Sequence, residues 1–201
     1  MNLEVLHVDE RCLALVKPAG LLAVPGRGAD KQDCAAQRVQ ALYPDALIVH
    51  RLDQATSGIL LMARGAHWQR ELSIAFAERR VHKRYVALLE GHLAASGWQE
   101  VALPLLADWP NRPRQKVDLE QGKPSLTRWQ VLGHEGAFTR VELEPVTGRS
   151  HQLRVHMQSL GHPIAGDALY GHADSAPRLL LHASELALPE MGLALKSAPP
   201  F

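Results

Sequence analysis

The stretch LIVHRLDQATSGILLMAR, Leu47 to Arg64, constrains the fold more than any other part of this sequence. Two apolar runs with strand character flank a polar knot running from His50 to Gly58. An ordinary hairpin turn needs only Gly, Asn or Asp at its tip. An arginine and an aspartate two residues apart, followed by Thr56-Ser57-Gly58, exceed what a turn requires. The pattern predicts a buried pair of strands, ALIVHRL and SGILLMA, that present a charged loop.

The elements around this knot mix strands with isolated helices. LEVLHVDERCLALVK reads as two short strands meeting at a turn, ended by Lys17-Pro18-Ala19-Gly20. PGRGADKQD reads as a loop. In CAAQRVQALYP, Ala35, Val39 and Leu42 recur at helical spacing, and Pro44 stops the helix. AHWQRELSIAFAERR is the clearest helix, with Trp68, Leu72, Ala75 and Phe76 on one face. KRYVALLEG and WQEVALPLL read as strands. The tract 107–124, with three prolines and a tryptophan, reads as an irregular insertion or a surface ribbon. SLTRWQVLG and FTRVELEPV alternate as antiparallel strands do. Ser150 is placed to cap a helix over HQLRVHMQSLG, with Leu153, Met157 and Leu160 inward and Gly161 as its stop. Arg154 then falls at the boundary of the buried face. RLLLHASELAL and GLALKS close the chain as strands. This order predicts an α+β fold with a mixed, mainly antiparallel central sheet flanked by a few helices. No repeat and no clear linker interrupts the 201 residues, so one domain spanning 1–201 is expected.

Composition removes several functional classes. Two cysteines make neither a disulfide framework nor a Cys-rich zinc site. The opening residues MNLEVLHVDER do not read as a signal peptide, and no apolar run is long enough for a transmembrane helix. A reducing cytosol is the expected compartment. His151 and His156 are five apart, with Gln152 where a metalloprotease helix needs glutamate, so no metal is expected there. No phosphate loop and no nucleophile elbow is present. The net charge of +1 leaves nucleic acid open, because basic residues cluster locally in ERRVHKR, NRPRQK and GRSHQLR.

Asp53 has two readings. One is a turn aspartate bonding its own backbone. The other is a carboxylate beside a cation, able to act as nucleophile or base. HRLDQATSGIL resembles the HRLD-x-x-TSG segment of the RluA-type pseudouridine synthases. VKPAGLLAVPG, KRYVALLEG, VTGRSHQLRVHMQSLGHPIAGDALYG and PRLLLHASELAL resemble further segments of that family, in the family's order and across nearly the whole chain. No N-terminal RNA-binding domain of the S4 type is expected. The tract 103–124 is similar to that of a short family member acting on a tRNA anticodon-arm uridine and a uridine in a 23S rRNA hairpin.

The resemblance implies isomerisation of uridine to pseudouridine, with the C1′–N1 bond broken and the base rejoined through C5, and it implies no cofactor. It assigns Asp53 as the catalytic carboxylate, attacking C1′ or deprotonating C2′. Tyr85 would stack on the target base, and Arg154 would pair with Asp53. His50, Thr56 and Leu181 would support the pocket. Arg51 would fill the space left by an extruded base or hold a phosphate, since extrusion costs a few kcal/mol. Arg149 is assigned to RNA contact or base flipping. Arg112, Arg114 and Lys116 alternate, so on an extended ribbon they would share a face that tracks phosphates, and Trp109 would stack on a base. The expected partners are tRNA and 23S rRNA, with no membrane and no obligate protein partner, and a monomer is expected. The rivals are an RNA-binding protein that does not catalyse, a synthase acting on one of these RNAs, and a nucleoside hydrolase that releases free uracil.

Overall fold

The computed structural model describes residues 3–201. Its strands are β1 (Glu4–Val8), β2 (Cys12–Lys17), β3 (Ala46–Ile48), β4 (Ser57–Arg64), β5 (His82–Glu90), β6 (Gln99–Val101), β7 (Leu105–Ala107), β8 (Gln115–Val117), β9 (Thr127–Glu135), β10 (Phe138–Pro145), β11 (Leu181–Leu188) and β12 (Leu193–Lys196). Its helices are α1 (Ala35–Gln40), α2 (Gly65–Ala77) and α3 (Gln152–Ser159). The chain forms two compact units, Met1–Lys83 with His182–Pro200, and Arg84–Leu181 with Phe201.

In the first unit the strand order is β1-β2-β4-β11, with β3 also on β4 and β12 on β11. β4 and β11 run parallel, pairing Ser57 with His182 and Gly58 with Ala183, while the other pairs in this unit are antiparallel. β4 is buried along almost its whole length because both its faces are covered. Alternation sends Ile59, Leu61 and Ala63 to the side holding Leu72 and Ala75 of α2. It sends Leu60 and Met62 to the side holding Ala35 and Val39 of α1. The apolar run in the sequence is therefore two interleaved core stripes.

Gly58 is required by this pairing. Its φ is +115°, and a Cβ there would sit 2.4 Å from both N and O of Ala183 on the neighbouring strand. The parallel contact beside the polar knot closes only around a residue without a side chain.

In the second unit the order is β5-β10-β9-β6, with β7 and β8 as a separate antiparallel pair. β10 alternates strictly, burying Thr139, Val141, Leu143 and Pro145. Residues 152–157 of α3 are all buried, so this helix is an interior element and not an amphipathic surface one. Two of its polar side chains are satisfied by neighbouring strands and loops. Gln152 Nε2 donates to Leu126 O and Thr127 Oγ1, each at 3.0 Å. His156 bonds Thr127 Oγ1 at 2.9 Å and Leu103 O at 3.0 Å.

Several local expectations are corrected. The α1 helix ends at Gln40, leaving Leu42 76% exposed beyond it. β3 ends at Ile48, so His50 to Leu52 are loop. The N-cap of α3 is His151, in the left-handed conformation with φ 53°, and no side chain caps it, so Ser150 does not. Arg154 lies inside, 4% exposed, and not at a boundary. The stretch 98–106 is broken into β6 and β7 around Leu103-Pro104. Gly161 does follow the last turn of α3, with φ 81°.

Candidate active site

In the first unit, the loop between β3 and β4 carries His50, Arg51, Asp53 and Thr56. Thr56 N–H donates to Asp53 O at 3.1 Å, which tightens the loop into a turn. Leu52 and Thr56 are buried, Asp53 is half-buried and Arg51 is exposed. The loop is pinned by Lys17, at the end of β2, which has no exposed surface. Its Nζ donates to Pro18 O at 2.9 Å, Leu21 O at 2.8 Å and Gln54 O at 3.1 Å. Gly20 N–H also donates to Gln54 O at 2.8 Å, and Gln54 Nε2 donates to Gly20 O at 2.9 Å. Burial pushes the Lys17 pKa down to about 8, and the negative charge of Asp53 acts against that shift. Lys17 thus places a cation near Asp53 while all three of its N–H bonds serve the backbone.

His50 holds the other end of the loop. Its Nε2 accepts from Leu61 N–H at 2.9 Å, and its ring stacks on Phe76 with centroids 4.5 Å apart. The residue keeps some exposure, but its imidazole is packed. Burial first, and the Lys83 charge second, push its pKa down to about 3. His50 is therefore neutral, with its proton on Nδ1. Beside Gly58, Ser57 Oγ and His182 Nδ1 are 2.9 Å apart, and His182 Nε2 lies 3.1 Å from Ser197 Oγ.

In the second unit, Tyr85 lies half-buried on β5, opposite Leu143 of β10. Arg154 donates from Nε to Asp167 Oδ2 at 2.7 Å and from Nη2 to Asp167 Oδ1 at 2.6 Å, with both residues buried. Asp167 Oδ1 also accepts from the N–H groups of Leu169 and Tyr170. The Arg154 guanidinium lies over the Tyr170 ring, 5.0 Å from its centroid. Leu181 is 3% exposed. Arg149 is exposed, and its backbone N–H donates to Gln152 Oε1 at 3.0 Å.

The tract 107–124 is a ribbon, with β7 and β8 joined through a short turn of 3-10 helix at Trp109–Asn111. Trp109 is 64% exposed, with the Arg112 guanidinium 3.3 Å from its ring centroid. Arg112 and Arg114 precede β8, so only Lys116 of the three basic residues lies on a strand, and the single extended face predicted for them is not formed. Arg114 and Lys116 instead line a cleft of about 310 Å³ with Val155, Gln158 and Tyr170.

Among the described residues, His7, Asp9 and Cys12 bring three metal-ligating groups together. The Asp9 carboxylate among them is already engaged. Asp9 accepts from the backbone N–H of Arg11 and Cys12 and from the Arg11 guanidinium. Burial, then the Asp9 charge, push the Cys12 thiol up to about 12. A protonated thiol beside a saturated carboxylate is a poor metal site.

No sequence pattern points to Lys17 or Asp167. Lys17 lies in the Lys17-Pro18-Ala19-Gly20 turn, where nothing local signals that its ammonium is buried. Asp167 sits thirteen residues beyond Arg154, with no spacing rule to link them.

Comparison with known proteins agrees with the motifs. The family described as RNA pseudouridylate synthase matches residues 11–159. A dual-specificity RNA pseudouridine synthase RluA of Vibrio cholerae is 50% identical over 187 residues, covering 92% of this chain and 76% of the relative. The protein of the same name from Yersinia pestis is 48% identical over 194 residues, covering 94% of each. The solved structure of human RNA pseudouridylate synthase domain containing 1 superposes with a TM-score of 0.81 at 30% identity, covering 100% of this chain and 84% of that one. Human RNA pseudouridylate synthase domain containing 4 gives 0.78 at 25%, covering 98% and 88%. With the HRLD loop, the tyrosine-bearing strand and the buried HQLR helix all in order, the chain belongs to the RNA pseudouridylate synthase family and is an isomerase that converts uridine in RNA to pseudouridine.

Proposed function

We propose that the enzyme modifies the first loop nucleotide of a tRNA anticodon arm and a uridine in a 23S rRNA hairpin loop, acting as a monomer in the cytoplasm without cofactor or metal. Asp53 is the carboxylate that meets the ribose of the target, and Arg154 supplies the guanidinium that orients it. Tyr85 lies against the base and assists loss of the C5 proton. His50, Thr56 and Leu181 shape the pocket. The observation that carries this reading is the half-buried Asp53 on a loop pinned by a buried lysine.

The chemistry balances within the substrate. The C1′–N1 bond breaks, the base turns, C5 bonds to C1′, and the C5 proton is released as N1 gains one. The protein's contribution is to hold one carboxylate against one sugar and keep the freed base in place. Arg51 is exposed beside Asp53 and suits insertion into the space an extruded base leaves. Arg149, Arg112, Arg114 and Lys116 supply phosphate contacts, and Trp109 supplies an exposed stacking surface, for RNA outside the pocket.

The test is to incubate the protein with unmodified tRNA and 23S rRNA fragments, without cofactor or metal, and map pseudouridine by carbodiimide-dependent primer stops. Stops at one loop uridine in each RNA are expected, and an Asp53→Ala enzyme should leave both RNAs unmarked. Modification by the Asp53→Ala enzyme, or release of free uracil by the wild type, would refute the assignment.

A further inference from the structure

We propose that Asp167 is a positioning residue for catalysis: it sets the guanidinium plane of Arg154 from behind, without itself meeting the RNA. The inference rests on the role given to Arg154 above.

Arg154 is 4% exposed and Asp167 has no exposed surface. A buried guanidinium needs a paired charge, and the two-pronged bond at 2.7 and 2.6 Å supplies it along the Nε–Nη2 edge. That bond fixes the plane of the fork as well as its place, which a single contact would not do. Asp167 is itself held. Its Oδ1 accepts from the backbone N–H of Leu169 at 2.9 Å and Tyr170 at 3.1 Å, so the carboxylate cannot rotate without breaking these bonds. The same turn delivers the Tyr170 ring to one face of the guanidinium, 5.0 Å from its centroid.

The turn is anchored in two further places. Tyr170 Oη accepts from Gln115 N–H at 2.7 Å and is hydrogen-bonded to His151 Nδ1, also at 2.7 Å. His151 begins the helix that carries Arg154. Further along the segment, Ser175 Oγ donates to Glu90 Oε1 at 2.8 Å and accepts from Gly166 N–H at 2.9 Å. Asp167 is therefore clamped between β5, β8 and the start of α3. This is more support than a charge needs for neutralisation alone, and it is what a precisely aimed side chain requires.

The test compares wild type, Asp167→Asn, Arg154→Lys and the double variant in single-turnover and steady-state assays on transcribed, unmodified tRNA. Asparagine keeps the oxygen that accepts from Leu169 and Tyr170 but loses the charge. We expect Asp167→Asn to lower kcat roughly 30-fold or more, with KM within about 3-fold of wild type. The double variant should be no slower than Arg154→Lys beyond about 3-fold, since a residue acting only through Arg154 has nothing left to lose. A kcat for Asp167→Asn within about 3-fold of wild type, or losses that multiply in the double variant, would overturn the proposal. If Asp167→Asn does not yield folded protein, Asp167→Glu takes its place. It keeps the charge but displaces the carboxylate, so a kcat loss of roughly 10-fold or more that is not added to that of Arg154→Lys in the double variant supports the proposal, and a kcat within about 3-fold of wild type or losses that multiply overturn it. Wild type that leaves every RNA unmodified would instead refute the substrate reading.

Discussion

Adding one methyl group at Gly58 should do more damage than its size suggests. A Cβ at this position would stand 2.4 Å from Ala183 N, 2.4 Å from Ala183 O and 2.8 Å from Ala183 C. All three are backbone atoms of the paired strand, so no side chain can swing aside. Relief requires moving β11 from β4 by about 1 Å, which lengthens the ladder bonds there and disturbs the Ser57–His182 contact. Overpacking of this kind costs about 1–3 kcal/mol. Holding a non-glycine residue at φ +115° adds about 1–3 kcal/mol. The Gly58→Ala protein should therefore lose about 2–6 kcal/mol, a large part of the roughly 5–15 kcal/mol typical of a folded chain. At a urea dependence of about 2 kcal/mol per molar, the midpoint falls by about 1–3 M. Two controls separate the causes. Gly20 has φ +87° with nothing within 4 Å of a Cβ, so Gly20→Ala should show only the backbone cost of about 1–2 kcal/mol. Gly133 has open space and no positive φ, so Gly133→Ala should stay within about 0.5 kcal/mol of wild type. If Gly58→Ala unfolds within 0.5 M of Gly20→Ala, the steric argument is wrong.

Three other outcomes are expected. His50 is held neutral with a pKa of about 3 against 6.5 in the unfolded chain, so the unfolded state gains a proton first as pH falls and stability declines below about 6.5. Between pH 7 and 5 the wild type should lose about 2 kcal/mol more than a His50→Gln protein in urea titrations, and equal losses would contradict the assignment. Lys17→Met leaves the carbonyls of Pro18, Leu21 and Gln54 without this donor, and should cost about 2–4 kcal/mol in urea unfolding with a reduced kcat; unchanged values would deny Lys17 its structural role. RNA affinity should fall linearly on a log–log plot against salt, and Lys116→Ala should make that slope shallower by about one; an unchanged slope would remove Lys116 from the RNA contact.

Much of the fold was legible because it rests on local pattern. The double apolar stripe of β4, the alternation of β10 and the helical face of α2 are written in consecutive residues. Local pattern misleads where long-range partners decide. Ser150 is a good capping residue in isolation, yet Gln152 reaches back to bond Arg149 N–H and Thr147 Oγ1, and the helix starts at a left-handed His151 instead. Leu42 continues a helical spacing that Ala41 and Pro44 cut short. The depth of Arg154 depended on a carboxylate thirteen residues away, and that of Lys17 on carbonyls from two separate loops. Charged residues are read as surface by default, and only the finished fold reveals which have been supplied with partners.

One nitrogen at position 17 joins the Pro18–Leu21 turn to Gln54, 37 residues along the chain from Lys17. Neither segment can loosen alone without stripping the other of its shared keystone. They should open as a single event, so that the amide hydrogens of Gly20 and Thr56 exchange with solvent at one common rate.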